Sequence, residues 1–470
     1  MSQFVLTIGG KAAPTAKFFD VLNPFDESLV DVCPEGTVEL VDLAVRAART
    51  AQRAWAALPD AERVAKLVQI AEIIETNRSE LATLVTREQG KPQGGLGAKY
   101  EIGGAVAWTR ATAALSLPEE VIQDDASGRI AITRKPVGVV ASITPWNWPL
   151  LIATWHLMPA LRVGCTVVIK PSPFTPLSTL RLVQLINEVL PPGVVNVVAG
   201  GSEVGNAMTS HPGVDKVVFT GSVGTGKKVM ESASRSLKRL TLELGGNDAG
   251  IVLPGTQIEP LIEKLFWGCF INAGQTCAAL KRLYVHESQY DDVVARFAEY
   301  VSRVPVGDGL DPRTVIGPIS NRMQFEKVSA LVEDARAQGA RIVTGGKRSS
   351  ARGWLYPLTV IANATDDMRV VREEQFGPVI PIIRYSSVDE AIERANSLDV
   401  GLGGSVWGDD ANSAALYASR LECGTAWVNQ HGALHPMAPF GGVKASGIGV
   451  EFNVDGLKEY TTVQVINVAR

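Results

Sequence analysis

An α/β fold with two successive helix-covered sheets is predicted for this chain by three observations. Short apolar strands alternate with helix-length segments from about residue 139 onward. Residues 1–115 read mostly as amphipathic helices. At 470 residues the chain exceeds what one hydrophobic core organises, so two or three domains are expected.

The elements follow in order. Leu40, Leu43, Ala44, Ala47, Ala51 and Ala54 recur with helical period, and Pro59 ends the run. Asp60 is placed to cap the next helix, with Val64, Leu67, Ala71 and Ile74 on one face. Asn77 followed by Glu80 has the capping-box form, and Gly90-Lys91-Pro92 should stop that helix. Residues 129–134 read as a short strand. No residue in 136–161 is charged, and a hydropathy window alone would take the stretch for a membrane span. Pro145, Pro149 and Pro159, with Asn147 and His156, instead divide it into a buried strand, a loop and a buried helix.

Strands are expected at 139–143, 166–169, 194–198, 216–219 and 241–244, with helices such as 180–190 between most of them. That alternation predicts a parallel sheet, an architecture that binds nucleotides at the carboxyl ends of its strands. A second α/β stretch has strands near 283–285, 341–343, 379–382 and 426–429. The alternating segment 462–466 resembles 129–134, and the two are expected to pair with each other or across subunits. There is no internal repeat and no low-complexity segment.

Composition narrows the partners. With 45 basic against 49 acidic side chains and a net charge of −4, nothing electrostatic favours nucleic acid or an anionic membrane. Five scattered cysteines, Cys33, Cys165, Cys269, Cys277 and Cys423, argue against a disulfide framework and for a reduced, cytoplasmic setting. No Cys/His pairing predicts a metal site, and Met1 to Val5 has no secretory-signal pattern.

The chemistry centres on Cys277, in Asn272-Ala273-Gly274-Gln275-Thr276-Cys277, and on Glu243, 34 residues earlier. A thiol can bond to a carbonyl carbon, and a carboxylate can activate the water that later breaks that bond. Each also has a plain reading: a buried structural cysteine, and a solvated glutamate at a strand end. An apolar strand end would raise the carboxyl pKa, which suits a general base. Thr220-Gly221-Ser222-Val223-Gly224-Thr225-Gly226-Lys227 lies between a predicted strand and a predicted helix, where glycines and a helix N-terminus can cradle a pyrophosphate. A glycine-rich turn without a ligand is the competing reading. Gly221 to Lys227 also matches GxxxxGK of a P-loop, but Lys228 stands where the magnesium-binding hydroxyl belongs. Lys170 ends a predicted strand within reach of ribose or phosphate oxygens. Asn147, in the stiff loop Thr144-Pro145-Trp146-Asn147-Trp148-Pro149, can offer amide donors to an oxyanion.

Taken together these motifs resemble the aldehyde dehydrogenase superfamily, from Asn23-Pro24 to Tyr460-Thr461. Glu373-Glu374-Gln375-Phe376-Gly377-Pro378 and Pro439-Phe440-Gly441-Gly442 extend the likeness. The resemblance implies a Rossmann-like nucleotide-binding domain at 1–117 and 137–245 and a second α/β catalytic domain at 246–453. It also implies a small β oligomerisation arm from 118–136 and 454–470, in a homodimer or homotetramer. The implied activity is oxidation of a small-molecule aldehyde to the acid. Cys277 would be the nucleophile, the Asn147 side chain and the Cys277 backbone N–H the oxyanion donors, and Glu243 the base. NAD or NADP is the implied cofactor. Gly221, Ser222 and Gly226 would lie at its pyrophosphate, Lys170 at the adenosine ribose and Glu374 at the nicotinamide ribose. Phe376 would pack near the ring, and Trp146, Ser172 and Leu244 would complete the contacts.

Two positions depart from the pattern. Pro173 stands where many NAD-preferring relatives have the glutamate that binds the adenosine ribose, which leaves NADP open; Lys170 and Ser172 could both approach a 2′-phosphate. Trp148 replaces the commoner phenylalanine. A CoA-acylating relative is the main rival, which Glu243 disfavours because transfer to a thiol needs no water-activating base. A P-loop phosphotransferase and a catalytically silent protein are the others. Trp148, Trp267 and Phe270, close to the motifs, are consistent with an apolar or aromatic aldehyde and equally with core packing; an acidic semialdehyde is neither supported nor excluded.

Overall fold

A computed structural model describes residues 4–348 and 352–470. Two large sheets meet at the centre of the chain. The first has eight strands, with Val195–Val197, Thr166–Lys170, Val139–Ile143, Lys216–Thr220 and Arg239–Glu243 as its parallel core. Their runs of Val and Ile are buried on both faces, as expected of a parallel sheet covered by helices. Strand order reverses at Val139–Ile143, which lies between Thr166–Lys170 and Lys216–Thr220. A crevice at such a switch point is where open α/β sheets bind ligands.

The second sheet has seven strands, in the order Arg341–Thr344, Thr359–Ala364, Val379–Tyr385, Leu280–His286, Asp248–Val252, Gly403–Trp407 and Thr425–Val428. All neighbours are parallel except the first pair. Asp248–Val252, Thr359–Ala364 and Gly403–Trp407 were not anticipated from the sequence. Glycine conceals one of them: a Cβ at Gly403 would stand 2.5 Å from the Trp427 ring, so close packing requires a residue of low strand propensity there.

A third sheet joins Glu120–Asp125, Gly128–Pro136 and Thr461–Ala469. The two segments expected to pair do so, antiparallel, from Thr461 opposite Pro136 to Ala469 opposite Gly128. Val463, Val465, Ile466 and Val468 of the last strand are exposed.

The N-terminal region needs correction. Four helices are present, Val38–Ala57, Asp60–Thr76, Arg78–Gln89 and Ala98–Ala114, but four short strands precede them between Leu6 and Pro34. Asp60 is not a cap. It is the first helical residue, and its carboxylate binds Arg162. Asn77 and Glu80 form no capping box: Asn77 Nδ2 donates to the Ile73 carbonyl, 2.8 Å away, and Glu80 pairs with Arg181. Gly90 ends that helix in the left-handed conformation, as its sequence predicts.

The uncharged stretch 136–161 becomes strand Val139–Ile143, a loop, and the buried helix Pro149–Val163. Among the described residues no helix is long and apolar enough to cross a membrane.

Helix Val38–Ala57 packs on the first sheet through Val41, Ala44, Val45 and Ala48, and Trp55 anchors its end. Trp55 is 1% exposed and donates its indole N–H to the Leu161 carbonyl at 3.2 Å. Trp55→Ala should therefore destabilise the fold by about 3–5 kcal/mol, read as a lower denaturant midpoint.

Candidate active site

The carboxyl ends of the first sheet open onto a cleft of about 660 Å³. Cys277, Glu243 and Asn147 all line it. Three pieces of local structure bring them together.

Cys277 follows a sharp turn in which Asn272, Ala273 and Gly274 have φ of +53°, +56° and +70°. Two non-glycine residues in the left-handed region are costly and persist only where surrounding contacts enforce them. Gly274 has no alternative, because a Cβ would lie 2.2 Å from the Gly377 carbonyl oxygen. The buried Gln275 side chain locks the turn. Its Nε2 donates to the Asn272 carbonyl at 3.0 Å, and its Oε1 accepts from the Ser320 amide at 2.8 Å. Thr276 Oγ1 accepts from the Trp148 indole at 3.0 Å.

Asn147 is held by its carbonyl. Lys91 Nζ donates to that oxygen at 2.8 Å, and Asn272 Nδ2 donates at 2.7 Å. Lys91 is itself paired with Glu101 Oε2 at 2.5 Å, with both side chains fully buried.

Glu243 ends its strand at 5% exposure, and among the described residues neither carboxylate oxygen has a hydrogen-bond partner. Burial raises its pKa well above the usual carboxylate range, and the charges of Glu451 and Glu459 add to the effect. Glu451 Oε1 lies 3.3 Å from His156 Nε2, whose Nδ1 shares a hydrogen bond with Ser142. Burial also pushes the Cys277 thiol up to about 12, while the Lys281 ammonium opposes the shift.

The rest of the cleft matches a long polar ligand. Ser222 caps helix Val223–Ser234, its Oγ accepting from the Thr225 amide at 3.3 Å. That helix N-terminus faces the cleft beside Gly221 and Thr225. Lys170 is 6% exposed, donates to the Pro171 carbonyl at 3.0 Å, and is pulled down to about 8 by burial. Ser172 and Pro173 lie beside it. At the other end Trp146 meets Phe376 edge to face at 5.3 Å, and Glu374 Oε1 accepts from the Gly246 amide at 3.3 Å. Leu244 also lines the cleft, whereas Gly226 is packed against the Leu244 side chain and does not.

A P-loop does not form. The strand ends at Thr220 and the helix begins at Val223, leaving no loop to wrap a triphosphate; Lys227 is exposed while Lys228 lines the cleft. Trp267 and Phe270 belong to the core of the second sheet, packed with Phe266, Phe297 and Tyr300. The aromatic side chains of the cluster against which Cys277 packs are Trp427 and Phe440, with Phe452 on the same cluster; Trp108 and Trp155 meet Phe452 from a neighbouring one. Lys91, Glu101, His156, Lys281 and Glu451 were likewise missed. Of these, only the lysine four residues after the thiol carried a local signal.

The aldehyde dehydrogenase family model matches residues 11–466. Human retinaldehyde dehydrogenase 3 is 41% identical over 463 residues, covering 97% of this chain and 90% of the human protein. Among solved structures, betaine aldehyde dehydrogenase from Staphylococcus aureus in complex with NAD+ is 35% identical, with a TM-score of 0.95 over 99% of this chain and 94% of that one. A mutant of aldehyde dehydrogenase from Bacillus cereus superposes with a TM-score of 0.97 at 36% identity, covering 100% of this chain and 97% of that one. Likeness of this extent, in sequence and in fold, leaves one assignment: the chain belongs to the aldehyde dehydrogenase family.

Proposed function

We propose that this protein oxidises an aldehyde to the carboxylic acid with NAD+ or NADP+. The observation that carries the reading is the meeting of Cys277, Glu243 and Asn147 in one cleft with a capped helix N-terminus.

Cys277 Sγ attacks the aldehyde carbon while the thiol proton leaves through Glu243 or water, and the carbonyl oxygen becomes an oxyanion. The Asn147 side chain, fixed through its own carbonyl, donates to that oxygen together with the Cys277 backbone N–H. Held at its ribose by Glu374 and at its ring by Trp146 and Phe376, the nicotinamide cofactor would supply the hydride acceptor that conversion of the thiohemiacetal to a thioester requires. Glu243 then removes a proton from water, the hydroxide adds to the thioester carbon, and the C–S bond breaks to release the acid. A raised pKa lets the carboxyl take and give a proton within one cycle. Glu243 in the same cleft as the thiol favours hydrolysis over transfer to coenzyme A.

The cleft residues fit a dinucleotide. Gly221 and Ser222 suit the pyrophosphate, with Gly226 acting behind them through Leu244. Lys170 and Ser172 suit the adenosine ribose, Glu374 the nicotinamide ribose, and Trp146 with Phe376 the ring. Lys170, Lys228, Ser172, Ser202 and Asn206 line the cleft, and these cationic and hydroxyl or amide groups support use of NADP+ as well as NAD+.

An apolar or aromatic aldehyde is the substrate best supported. Trp148, Leu151, Ile152 and Trp155 form a buried apolar cluster on which Trp108 and Phe452 pack, and the Trp148 indole bonds to Thr276, next to the thiol. Leu434 and Phe452 also pack on a second apolar cluster, Ala278, Leu402, Trp427 and Phe440, against which Cys277 packs as well. The rings meet at 4.7 Å (Trp155–Phe452) and 5.4 Å (Trp108–Phe452), an arrangement suited to edge and face contact with a flat ligand.

We further assign 1–117 and 137–245 to a nucleotide-binding domain, 246–453 to a catalytic domain and 118–136 with 454–470 to an oligomerisation arm. The exposed Val463, Val465, Ile466 and Val468 support assembly as a homodimer or homotetramer. Five free cysteines support a cytoplasmic location.

Cys277→Ala should abolish aldehyde oxidation and leave cofactor binding intact, measured by cofactor titration beside steady-state assay; retained turnover removes the nucleophile assignment. Glu243→Gln should give a single burst of reduced cofactor and then stall with an acylated Cys277 visible by mass spectrometry. Steady-state turnover near wild type would exclude Glu243 as the base. In a panel assayed with both cofactors, benzaldehyde-type and medium aliphatic substrates should exceed acidic semialdehydes in kcat/KM by about tenfold or more, the equivalent of roughly 1.4 kcal/mol in transition-state binding. Preference for a semialdehyde would refute the substrate class alone.

A further inference from the structure

Lys281 is the second residue of strand Leu280–His286, four residues after Cys277, and its side chain is 3% exposed. An ammonium buried to that degree is strongly disfavoured unless specific partners compensate it. It has two. Nζ donates to the carbonyl of Cys277 itself and forms an ion pair with Glu374 Oε1 at 3.2 Å. The Phe376 ring centroid is 6.0 Å from the same nitrogen.

The charges around the thiol are unbalanced without it. Carboxylates approach from three elements: Glu243 at the end of the first sheet, Asp248 on the neighbouring strand, and Glu374 after the short helix Arg369–Arg372. Each opposes formation of a thiolate, as burial does, and the Lys281 ammonium acts in the opposite direction. Asp248 lies 3.5 Å from the His431 ring, and Lys327 donates to the Glu374 backbone carbonyl at 2.7 Å, so both carboxylates have additional neighbours of their own.

We propose that Lys281 is a positioning residue for the nucleophile: its buried ammonium, held between the Cys277 carbonyl and the Glu374 carboxylate, is the charge that favours the thiolate. Glu374 competes with the thiolate for that ammonium. Removing Lys281 and removing the Glu374 charge should therefore act on the thiol in opposite directions. The proposal rests on Cys277 being the nucleophile, but its test requires no turnover.

The test is the rate of Cys277 alkylation by iodoacetamide against pH, followed by mass spectrometry on the full-length protein without cofactor. Lys281→Met should slow alkylation by about tenfold or more at pH 8 and move the rising limb upward by about one pH unit. Lys281→Arg should restore most of the rate. Glu374→Gln should move the limb downward. A wild-type profile for Lys281→Met overturns the proposal, as does a limb for Glu374→Gln that stays in place or moves upward. Should Lys281→Met fail to fold by circular dichroism, the Glu374→Gln profile decides alone. If instead the nucleophile assignment is at fault, Cys277→Ala keeps its turnover while these profiles still report on Lys281.

Discussion

The buried ion pair between Lys91 and Glu101 holds the site's geometry together. Both side chains are fully excluded from solvent, and each has further work for its remaining hydrogen-bonding capacity. Glu101 Oε1 accepts from the amides of Leu150 and Leu151, at 2.8 and 3.2 Å, satisfying two of the free N–H groups that open helix Pro149–Val163. Lys91 Nζ lies 3.5 Å from the Trp148 ring centroid and donates to the Asn147 carbonyl. One pair thus joins helix Ala98–Ala114, the chain after Gly90, the Asn147 loop and the following helix. Deleting one partner of such a pair typically costs about 3–5 kcal/mol because the other charge is stranded. Burial pulls Lys91 down to about 8, and Glu101 opposes that shift. The same carbonyl receives Asn272, which belongs to the strained turn before Cys277. The proposed oxyanion donor and the proposed nucleophile therefore share one hydrogen-bonded frame.

That frame surrounds groups whose burial makes charge unfavourable at rest. The thiol and Glu243 are both biased towards their neutral forms. A site of this kind stabilises charge only where fixed donors meet it, which is the condition for favouring a transition state over a ground state. In the proposed mechanism Lys281 serves the charge on sulfur and the Asn147 amide the charge on oxygen. Glu451 behind Glu243 works the other way, opposing a permanent carboxylate there.

Much of this was legible in the sequence, and the exceptions have physical causes. Parallel strands such as Val139–Ile143 announce themselves because burial on both faces demands uninterrupted apolar runs. Cys277, Glu243 and Asn147 stood out because thiol, carboxylate and amide chemistry is unusual beside glycine and proline turns, and the fold brings the three to one cleft. Asp248–Val252 and Gly403–Trp407 were missed because their glycines serve close packing and weaken the strand pattern. Asp60 and Asn77 carried correct capping chemistry, but tertiary and backbone partners, Arg162 and the Ile73 carbonyl, claimed their side chains instead. The Lys91–Glu101 pair was invisible for a related reason. Ten residues separate the two, and nothing in their spacing indicates that one neutralises the other beneath a loop 46 residues beyond Glu101. For Trp267 and Phe270 core packing, the second of the two readings open in the sequence, is what the fold shows: despite their nearness in sequence to Cys277 they pack in the core of the second sheet.

The two sheets are joined where chemistry is proposed, and the joint is short. Glu243 ends the first sheet and Asp248 begins the strand of the second, so only residues 244–247 lie between them. Each is pinned. The Leu244 amide donates to the Ser446 carbonyl at 2.9 Å, and Ser446 Oγ donates to the Gly245 carbonyl at 2.8 Å. The Gly246 amide is held by Glu374, and Asn247 Nδ2 donates to the Val371 carbonyl at 2.8 Å. Arg282, next to Lys281, donates to the Asn247 carbonyl at 2.8 Å. The segment after Phe440 returns to the first sheet at Gly447–Ile448, opposite Leu242 and Glu243. The proposed base at the end of one sheet and the thiol three residues before strand Leu280–His286 of the other therefore flank a pinned linker. Tilting one sheet against the other would break hydrogen bonds made by every residue of the link. In a reaction where the same carbon must meet sulfur, a hydride acceptor and an activated water in turn, that rigidity is what lets one arrangement serve all three steps.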